Sequence, residues 1–265
     1  MKKLIAGGCS FTYEDWCWPG HLQKELKKVS SRYNTTTFDD LELVNVAMGS
    51  NGNDLIKKSI VAQVEKELKT TKPEDIVVGV MWSGPDRWSF HSEEQLDAND
   101  WGGNGNSNII NPRSIVEHHY KWYFMNAGWV NDHSTLYYST FHSHVGSYIS
   151  TLECIIFLQL YLEAKQIKYF MTTYMDIFNI PYIPINVKTS PETEYLYQMV
   201  KFNKFLPVKG CYEHLTQHYP EGMPNDEGVH PLPSGQEYFA KNVILPFLLQ
   251  HNVIENYLFQ KKELI

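Results

Sequence analysis

The stretch Lys3-Leu4-Ile5-Ala6-Gly7-Gly8-Cys9-Ser10-Phe11-Thr12 joins a short apolar run to two glycines, a cysteine and a serine. The apolar run is typical of a short buried strand, and the small residues after it predict a tight turn at the carboxyl end of that strand. Such a turn can present the hydroxyl of Ser10 at the edge of a sheet, where it acts as a nucleophile if a base reaches it. The neighbouring Cys9 points the opposite way on an extended chain, so Ser10 is the favoured nucleophile.

Strand-like and helix-like segments alternate along the chain. Apolar runs predict further strands over 41–47, 75–82 and 167–174, and apolar residues at helical spacing predict helices over 19–29, 54–68, 145–165 and 234–250. Alternation of this kind indicates βαβ units and a parallel sheet. The sequence therefore predicts an α/β fold, a three-layer α/β/α sandwich with a central parallel sheet, as a single domain over 1–265.

The alternation breaks between about 88 and 143, where Asn, Gly, His and aromatic residues are frequent. A structureless loop of this length is improbable inside a compact domain, so the segment is predicted to be an insertion, or lid, after the third strand. We expect it to be partly helical around 114–124 and to cover the edge of the sheet that carries the serine. Its aromatic residues either contact a sugar ring or acyl group or pack the insertion onto the body.

Composition excludes several classes of partner. The chain of 265 residues has a net charge of −7 and no basic block, which argues against nucleic-acid binding. No apolar run reaches the ~18 residues of a membrane span, and the apolar start is shorter than the ~7–15 residues of an export signal. The four cysteines lack metal-finger spacing, which predicts reduced thiols and a cytoplasmic location. No metal or cofactor is expected, because the closely spaced histidine pairs 142/144 and 214/218 lack a third ligand.

A candidate base lies near the other end of the chain, at His230 in Asp226-Glu227-Gly228-Val229-His230-Pro231. A serine hydroxyl becomes a good nucleophile when a histidine takes its proton and a carboxylate orients that histidine. Glu227 lies three residues before the histidine and Asp226 lies four before it. Both remain candidates for the acid, and an ordinary polar turn is the alternative reading of the segment.

A second turn, over 45–54, follows the second strand and opens a helix. Free backbone N–H groups converge at such a position and favour an anion, which suits the oxyanion of an acyl-transfer reaction. Asn51 or Asn53 can add a side-chain amide. The alternative is a Gly/Asn turn in which Asn53 or Asp54 caps the helix.

Taken together, these segments resemble the SGNH/GDSL hydrolase superfamily, in its divergent branch with a Gly-Cys-Ser-Phe-Thr nucleophile block. The matching residues are Gly8-Cys9-Ser10-Phe11-Thr12, Gly49 within Ala47-Met48-Gly49-Ser50-Asn51, and His230-Pro231 followed by Ser234-Gly235-Gln236. The resemblance implies a flavodoxin-like fold and hydrolysis of an acetyl or short acyl ester through an acyl-enzyme, without a cofactor. It also implies an oxyanion hole made by the N–H groups of Ser10 and Gly49 and an asparagine amide.

The chain departs from that family at the third block. Here Trp82-Ser83-Gly84-Pro85-Asp86-Arg87 contains no asparagine, so Asn51 or Asn53 is the candidate amide. Asn53 is slightly favoured because it opens the helix. Trp82 and Arg87 follow the third strand and are predicted to contact the substrate, where Arg87 could bind a carboxylate or a sugar hydroxyl. A structural salt bridge from Arg87 to the insertion is the alternative.

Three functions remain open. The ordered set of blocks favours an esterase that acts on a small-molecule or carbohydrate ester. The missing asparagine motivates a second hypothesis, a binding module that keeps the fold without turnover. Acyl transfer to another hydroxyl is the third, since it uses the same nucleophile and differs in how well water is excluded.

Overall fold

The centre of the fold is a four-stranded parallel sheet. The computed structural model describes residues 2–32, 38–92, 121–125, 132–179, 190–224, 230–251 and 253–254. The sheet is formed by β1 (Lys3–Gly7), β2 (Glu42–Asn45), β3 (Ile76–Trp82) and β6 (Lys168–Thr173). Its strand order is β2-β1-β3-β6, with every neighbouring pair parallel.

Helices connect and cover these strands. They are α1 (Ser10–Tyr13), α2 (Trp18–Arg32), α3 (Asn53–Glu67), α4 (Asp132–Thr140), α5 (His144–Ala164), α6 (Pro191–Met199), α7 (Cys211–His218), α8 (Pro233–Phe239) and α9 (Leu245–Gln250). A π-helical segment, Ala240–Ile244, joins α8 to α9. Helices α6 and α7 lie where the sequence predicted no element, whereas the predicted strands and the other core helices are confirmed within a few residues at each end.

Side chains on the two faces of the sheet enter two separate hydrophobic clusters. Ile5 belongs to one cluster, together with buried residues of α3 and α5. Its neighbours Leu4 and Ala6 belong to the other cluster, with residues of α2 and of the C-terminal helices. Because successive residues of a strand point to opposite faces, this division shows a helical layer on each side of the sheet. The predicted α/β/α layering is confirmed.

The strand order places a crevice at the carboxyl edge of the sheet. The chain passes from β1 to β2 on one side of β1 and then to β3 on its other side. In open parallel sheets, ligands bind at this kind of reversal, outside the carboxyl ends of the strands. Ser10 follows β1, the 45–54 turn follows β2, and Arg87 lies beyond the end of β3. All three candidate segments therefore belong to the same edge.

The described part of the insertion contains an antiparallel pair of strands and one helix. Strands β4 (Trp88–Ser92) and β5 (Lys121–Met125) pair with Trp88 opposite Met125, and α4 follows them. The helix predicted around 114–124 is thus corrected at 121–125, where the aromatic run Trp122-Tyr123-Phe124 suits a strand. Residues 93–120 and 126–131 of the predicted lid lie outside the described residues.

Helix α5 has the length and composition of a membrane span, with a mean hydropathy of 1.4 in its most apolar window, yet 56% of that window is buried inside the fold. Its buried side includes Leu152, Ile155 and Leu162, which belong to the cluster on one face of the sheet. The burial indicates a core helix. Because other parts of the fold cover most of α5, apolar residues are found around most of its circumference.

Candidate active site

Ser10 is the first residue of α1, directly after the end of β1. Cys9 precedes it as the N-cap in an extended conformation (φ −97°, ψ −155°), and the Cys9 side chain is fully buried. Gly8 is required at this turn, because a Cβ there would lie 2.3 Å from Oγ1 of Thr12 and 3.0 Å from the carbonyl oxygen of Met81. The turn therefore buries the cysteine and leaves the serine hydroxyl at the edge of the sheet.

The Oγ atom of Ser10 lies 2.7 Å from Nε2 of His230. This is a normal hydrogen-bond distance, and a neutral histidine with its proton on Nδ1 accepts the serine hydroxyl proton in this arrangement. The two residues are 220 positions apart in the chain. The structure thus brings together the predicted nucleophile and the predicted base, in the geometry that nucleophilic catalysis needs.

The segment that carries His230 is held at the histidine ring and on its C-terminal side. The N–H of Leu232 donates to the carbonyl of Gly222 at 2.8 Å. Gly222 and Gly235 also lie so close that a Cβ on Gly235 would be 2.3 Å from the Gly222 carbonyl oxygen. The imidazole ring of His230 packs on Phe11, with 5.0 Å between ring centroids. These contacts limit how far the imidazole can move from Ser10.

The predicted acids, Asp226 and Glu227, lie in 225–229, outside the described residues. No hydrogen bond or ion pair to Nδ1 of His230 is found among the residues that the structure describes. Both Asp226 and Glu227 therefore remain candidates for the acid that orients His230.

The turn after β2 contacts the nucleophile turn through backbone atoms. The N–H of Met48 donates to the carbonyl of Gly8 at 3.2 Å. Gly49 follows at the cleft, and a Cβ added to it would meet no atom within 4 Å, so its backbone borders open space. Within the described part of the chain, the N–H groups of Ser10 and Gly49 have no acceptor. Ser50, with φ 64°, takes the left-handed conformation that L-residues adopt at a cost, which is frequent at functional turns.

The two candidate asparagines have different roles. Asn53 is buried, and its Nδ2 donates both to the Ser83 carbonyl and to Oγ1 of Thr151, each at 3.1 Å, while its Oδ1 accepts from the Ser83 N–H at 2.8 Å. Both amide hydrogens are thus used to tie α3, the end of β3 and α5 together. This corrects the slight preference for Asn53 as an oxyanion donor.

Asn51 is also buried, at 1% exposure, but it lies against the nucleophile turn. Its Nδ2 donates one hydrogen to the carbonyl of Gly8 at 3.2 Å, and its Oδ1 has no hydrogen-bond partner among the described residues. One amide hydrogen remains. Of the two predicted asparagines, Asn51 is therefore the one beside the site.

The two predicted substrate contacts, Trp82 and Arg87, lie in different surroundings. Trp82 is fully buried in the core, and its indole N–H points to Sδ of Met171 at 3.4 Å. This corrects the prediction that Trp82 contacts substrate, because β3 is covered on both faces up to its last residue. The guanidinium of Arg87, in contrast, lies over the ring of Tyr174, 4.9 Å from its centroid.

The electrostatics of the site favour a neutral imidazole. Burial lowers the pKa of His230 below its ordinary 6.5, and the nearby Arg87 cation lowers it further. Burial raises the pKa of Tyr174 to about 12, so this phenol is uncharged beside the guanidinium. Burial likewise raises the pKa of the Cys17 thiol to about 12. A neutral histidine is the form that can accept a proton from Ser10.

Three residues that the sequence did not single out individually complete the surroundings. Gln236, on α8, contacts both the nucleophile helix and the start of α2 through its buried amide. Phe11 and Tyr174 pack edge to face at 5.2 Å between His230 and Arg87. Tyr174 directly follows β6, and a position directly after a strand at the carboxyl edge is the signal that could have found it. Gln236 belongs to the third matching block, but the sequence does not indicate which groups its side chain hydrogen-bonds.

No family model and no curated protein matches this sequence. Among solved structures, the chain is similar to TesA, with 14% identity and a TM-score of 0.46, over 94% of this chain and 99% of that one. It is also similar to a catalytic mutant of Axe2, an acetylxylan esterase from Geobacillus stearothermophilus (14% identity, TM-score 0.44, 94% and 93% of the two chains).

A third similar structure is a member of the lipolytic protein G-D-S-L family from Veillonella parvula, with 10% identity and a TM-score of 0.40, over 94% of this chain and 97% of that one. The TM-scores of these three structures lie between 0.40 and 0.46. At these identities and TM-scores, the similarity assigns no activity and no residue role to this chain.

Proposed function

We propose that this protein is a serine esterase in which Ser10 attacks the acyl carbonyl of an ester and His230 removes the serine proton. The observation that carries the proposal is the 2.7 Å contact between Oγ of Ser10 and Nε2 of His230 at the carboxyl edge of the sheet. In the first step the serine–acyl bond forms, and the protonated histidine then gives its proton to the leaving alcohol. Water, activated by the same histidine, then releases the acid and restores the serine.

The negative charge that develops on the carbonyl oxygen needs hydrogen-bond donors. The N–H groups of Ser10 and Gly49 are proposed to supply two of them, since both lack an acceptor among the described residues. Asn51 is proposed as the side-chain donor, with the amide hydrogen that Gly8 does not use. In the same mechanism, Asp226 or Glu227 would orient His230.

An acetyl or other short acyl group suits the open space at Gly49, which lies beside the proposed oxyanion donors. A carbohydrate as the alcohol part rests on the aromatic and Asn-rich insertion, and release of acetate from an acetylated sugar tests it. We further propose a cytoplasmic setting, because Cys9, Cys17, Cys154 and Cys211 are all buried and unpaired.

The test compares wild type with Ser10→Ala in the hydrolysis of p-nitrophenyl acetate. We expect a loss of roughly 10³-fold or more, since removal of the nucleophile leaves only binding and the oxyanion donors. Ser31→Ala, on the exposed side of α2, is the matched control and should retain the full rate. Labelling with a fluorophosphonate should give an adduct on Ser10. Equal rates in wild type and Ser10→Ala, or an adduct on Cys9, would contradict the proposal.

A binding module without turnover is the second candidate, and the engaged amide of Asn53 is the observation that favours it. If Asn51 does not donate either, the missing donor costs about 2.7–4 kcal/mol of transition-state stabilisation. Such a protein would bind an ester or its product without consuming it, and calorimetry with the intact ester would show binding without heat of reaction. Acyl transfer, the third function, is tested by adding an acceptor alcohol and analysing the products.

A further inference from the structure

Arg87 is a half-buried cation at the site, held in place by its surroundings. Its carbonyl oxygen would lie 2.6 Å from a Cβ on Gly52, so its backbone packs against the turn that carries Gly49. Its guanidinium carbon lies 4.9 Å from the centroid of the Tyr174 ring, within the range of a cation–π contact. Main chain and side chain are therefore both positioned by residues at the carboxyl edge of the sheet.

The guanidinium is also close to the reacting groups. Tyr174 packs on Phe11 at 5.2 Å, and Phe11 packs on His230 at 5.0 Å, so the three rings form a continuous row from Arg87 to the base. The charge of Arg87 also contributes, after burial, to the lowered pKa of His230, so the two groups interact electrostatically. Arg87 thus borders the cleft in which Ser10 and His230 meet.

No carboxylate forms an ion pair with this cation among the described residues. The ion pairs found there all involve lysines, and Asp86, the sequence neighbour of Arg87, interacts with it electrostatically without forming an ion pair. A structural arginine removed from water is normally paired, since burying an unpaired charge is costly. The contact with the Tyr174 ring and an interaction with the Cys9 side chain orient the guanidinium, and neither is an ion pair.

We propose that Arg87 binds an anionic group of the substrate, a carboxylate or a phosphate, so that the natural ester carries a negative charge near its scissile bond. This inference rests on the proposed esterase function and names its substrate class. A planar guanidinium can donate two parallel hydrogen bonds to either group, and partial burial strengthens them. The aromatic support of Tyr174 keeps the guanidinium oriented before the substrate arrives.

The experiment compares matched pairs of esters that differ in charge. One pair is 4-acetoxybenzoate and its neutral methyl ester, which places a carboxylate on the alcohol part. A second pair, p-nitrophenyl hemisuccinate and its neutral methyl ester, places it on the acyl part. A third anionic substrate, 4-acetoxyphenyl phosphate, distinguishes phosphate from carboxylate. The quantity measured is the ratio of kcat/KM for the anionic ester to that for its neutral partner.

In wild type we expect at least one pair to favour the anionic ester, and Arg87→Gln to reduce that ratio by about 10–100-fold, mostly through KM. Arg87→Lys keeps the charge but not the bidentate geometry and should give an intermediate ratio. Lys72→Gln removes the same charge from an exposed lysine at the opposite end of β3 and should leave the ratio unchanged. A ratio that Arg87→Gln does not change overturns the inference. So does an equal loss with anionic and neutral esters, because Arg87 would then act on the reacting carbonyl.

Binding without turnover separates this inference from the proposed function. Calorimetric titration of Ser10→Ala with 4-hydroxybenzoate, succinate and phenyl phosphate should show at least one anion that binds, and the added Arg87→Gln change should abolish that binding. If no ester is hydrolysed but this binding pattern holds, the esterase function fails and the anion site stands. If esters are hydrolysed and no anion binds through Arg87, the inference fails alone. Thermal unfolding of each variant verifies that it is folded.

Discussion

The side-chain amide of Gln236 donates to the carbonyl of Phe11 at 3.3 Å, which ties the helix of the nucleophile to the helix that follows the base. The same side chain accepts from the backbone N–H of Trp18 at 3.0 Å, at the start of α2. Gln236 is 1% exposed, and both of its partners belong to the first turns after β1. Because Phe11 directly follows Ser10 and His230 lies six residues before Gln236, this glutamine links the segments that carry the two members of the proposed catalytic pair.

Replacing Gln236 with Met should therefore affect catalysis as well as stability. We expect a loss of about 2–4 kcal/mol in the free energy of unfolding, because two buried backbone groups lose their partner. The rate of fluorophosphonate labelling at Ser10 should fall as well, measured where the protein is fully folded. Gln159→Met is the matched control, since Gln159 makes the same two hydrogen bonds to the backbone of Lys201, away from the site. If both variants label at the wild-type rate, Gln236 has a structural role alone.

The pH dependence of kcat/KM should reflect the lowered pKa of His230. Because the imidazole must be neutral to accept the serine proton, activity should persist below pH 6.5 and fall only as the pH drops through the lowered pKa. Arg87→Gln removes the second cause of that shift and should move the acid limb to higher pH, while burial still holds the pKa below its ordinary value. Profiles of kcat/KM with a neutral ester between about pH 4 and pH 9 measure the acid limb of wild type and of Arg87→Gln. An acid limb that does not move in Arg87→Gln would contradict the assignment.

The same shift has a consequence for stability. The unfolded chain binds a proton at His230 at a higher pH than the folded protein does, so this residue lowers the free energy of unfolding as the pH falls below about 6.5. His230→Asn should reduce that acid sensitivity, measured by urea unfolding at about pH 5 and about pH 7. An unchanged difference between the two pH values would show that other groups determine it.

Asn53→Ala should destabilise the fold, although Asn53 is not assigned to the chemistry. The change leaves the buried N–H and C=O of Ser83 without their side-chain partner, at a cost of about 2–4 kcal/mol. Asn242→Ala, which removes one exposed hydrogen bond to the Tyr238 carbonyl, should change stability by less than about 0.5 kcal/mol. Urea unfolding measures both. If Asn53→Ala and Asn242→Ala both change the free energy of unfolding by a similarly small amount, the Asn53 contacts contribute little to stability.

Replacing Gly8 with alanine should lower stability, whereas replacing Gly49 should not. Gly8→Ala forces a methyl group against Thr12 and the backbone of Met81, so we expect a loss of about 1–3 kcal/mol. Gly49→Ala places its methyl group in open space and keeps the N–H proposed for the oxyanion, so its thermal stability should match wild type. Its activity should fall more for longer acyl groups than for acetyl, because the methyl group narrows the space beside the donors. Equal effects on all acyl lengths would place the acyl group elsewhere.

Patterns of local sequence were enough to predict the layered fold and the meeting of Ser10 with His230. The short strand before Ser10 and the apolar strand Ile76–Trp82 could be predicted, because buried parallel strands have continuous apolar runs. That same strand misled the interpretation of Trp82. A tryptophan at the end of such a run belongs to the core as long as both faces are covered, and the covering helices come from distant parts of the chain.

The roles of the two asparagines could not be read from the sequence for a similar reason. Asn51 and Asn53 are two residues apart in one turn, yet one contacts Gly8 and the other contacts Ser83 and Thr151. Which amide has a hydrogen left for a ligand depends on backbone atoms that only the folded chain brings near. The strand at Lys121–Met125 was missed because its partner, β4, is separated from it by a long segment.

The separation of Ser10 and His230 by 220 residues also has a consequence for synthesis. The serine is translated 220 residues before the imidazole, and Gln236 follows the imidazole by six residues. A chain that has been made only up to the residues before His230 therefore carries a hydroxyl without a base, and the proposed activity begins only when the segment with His230 has been released and folded.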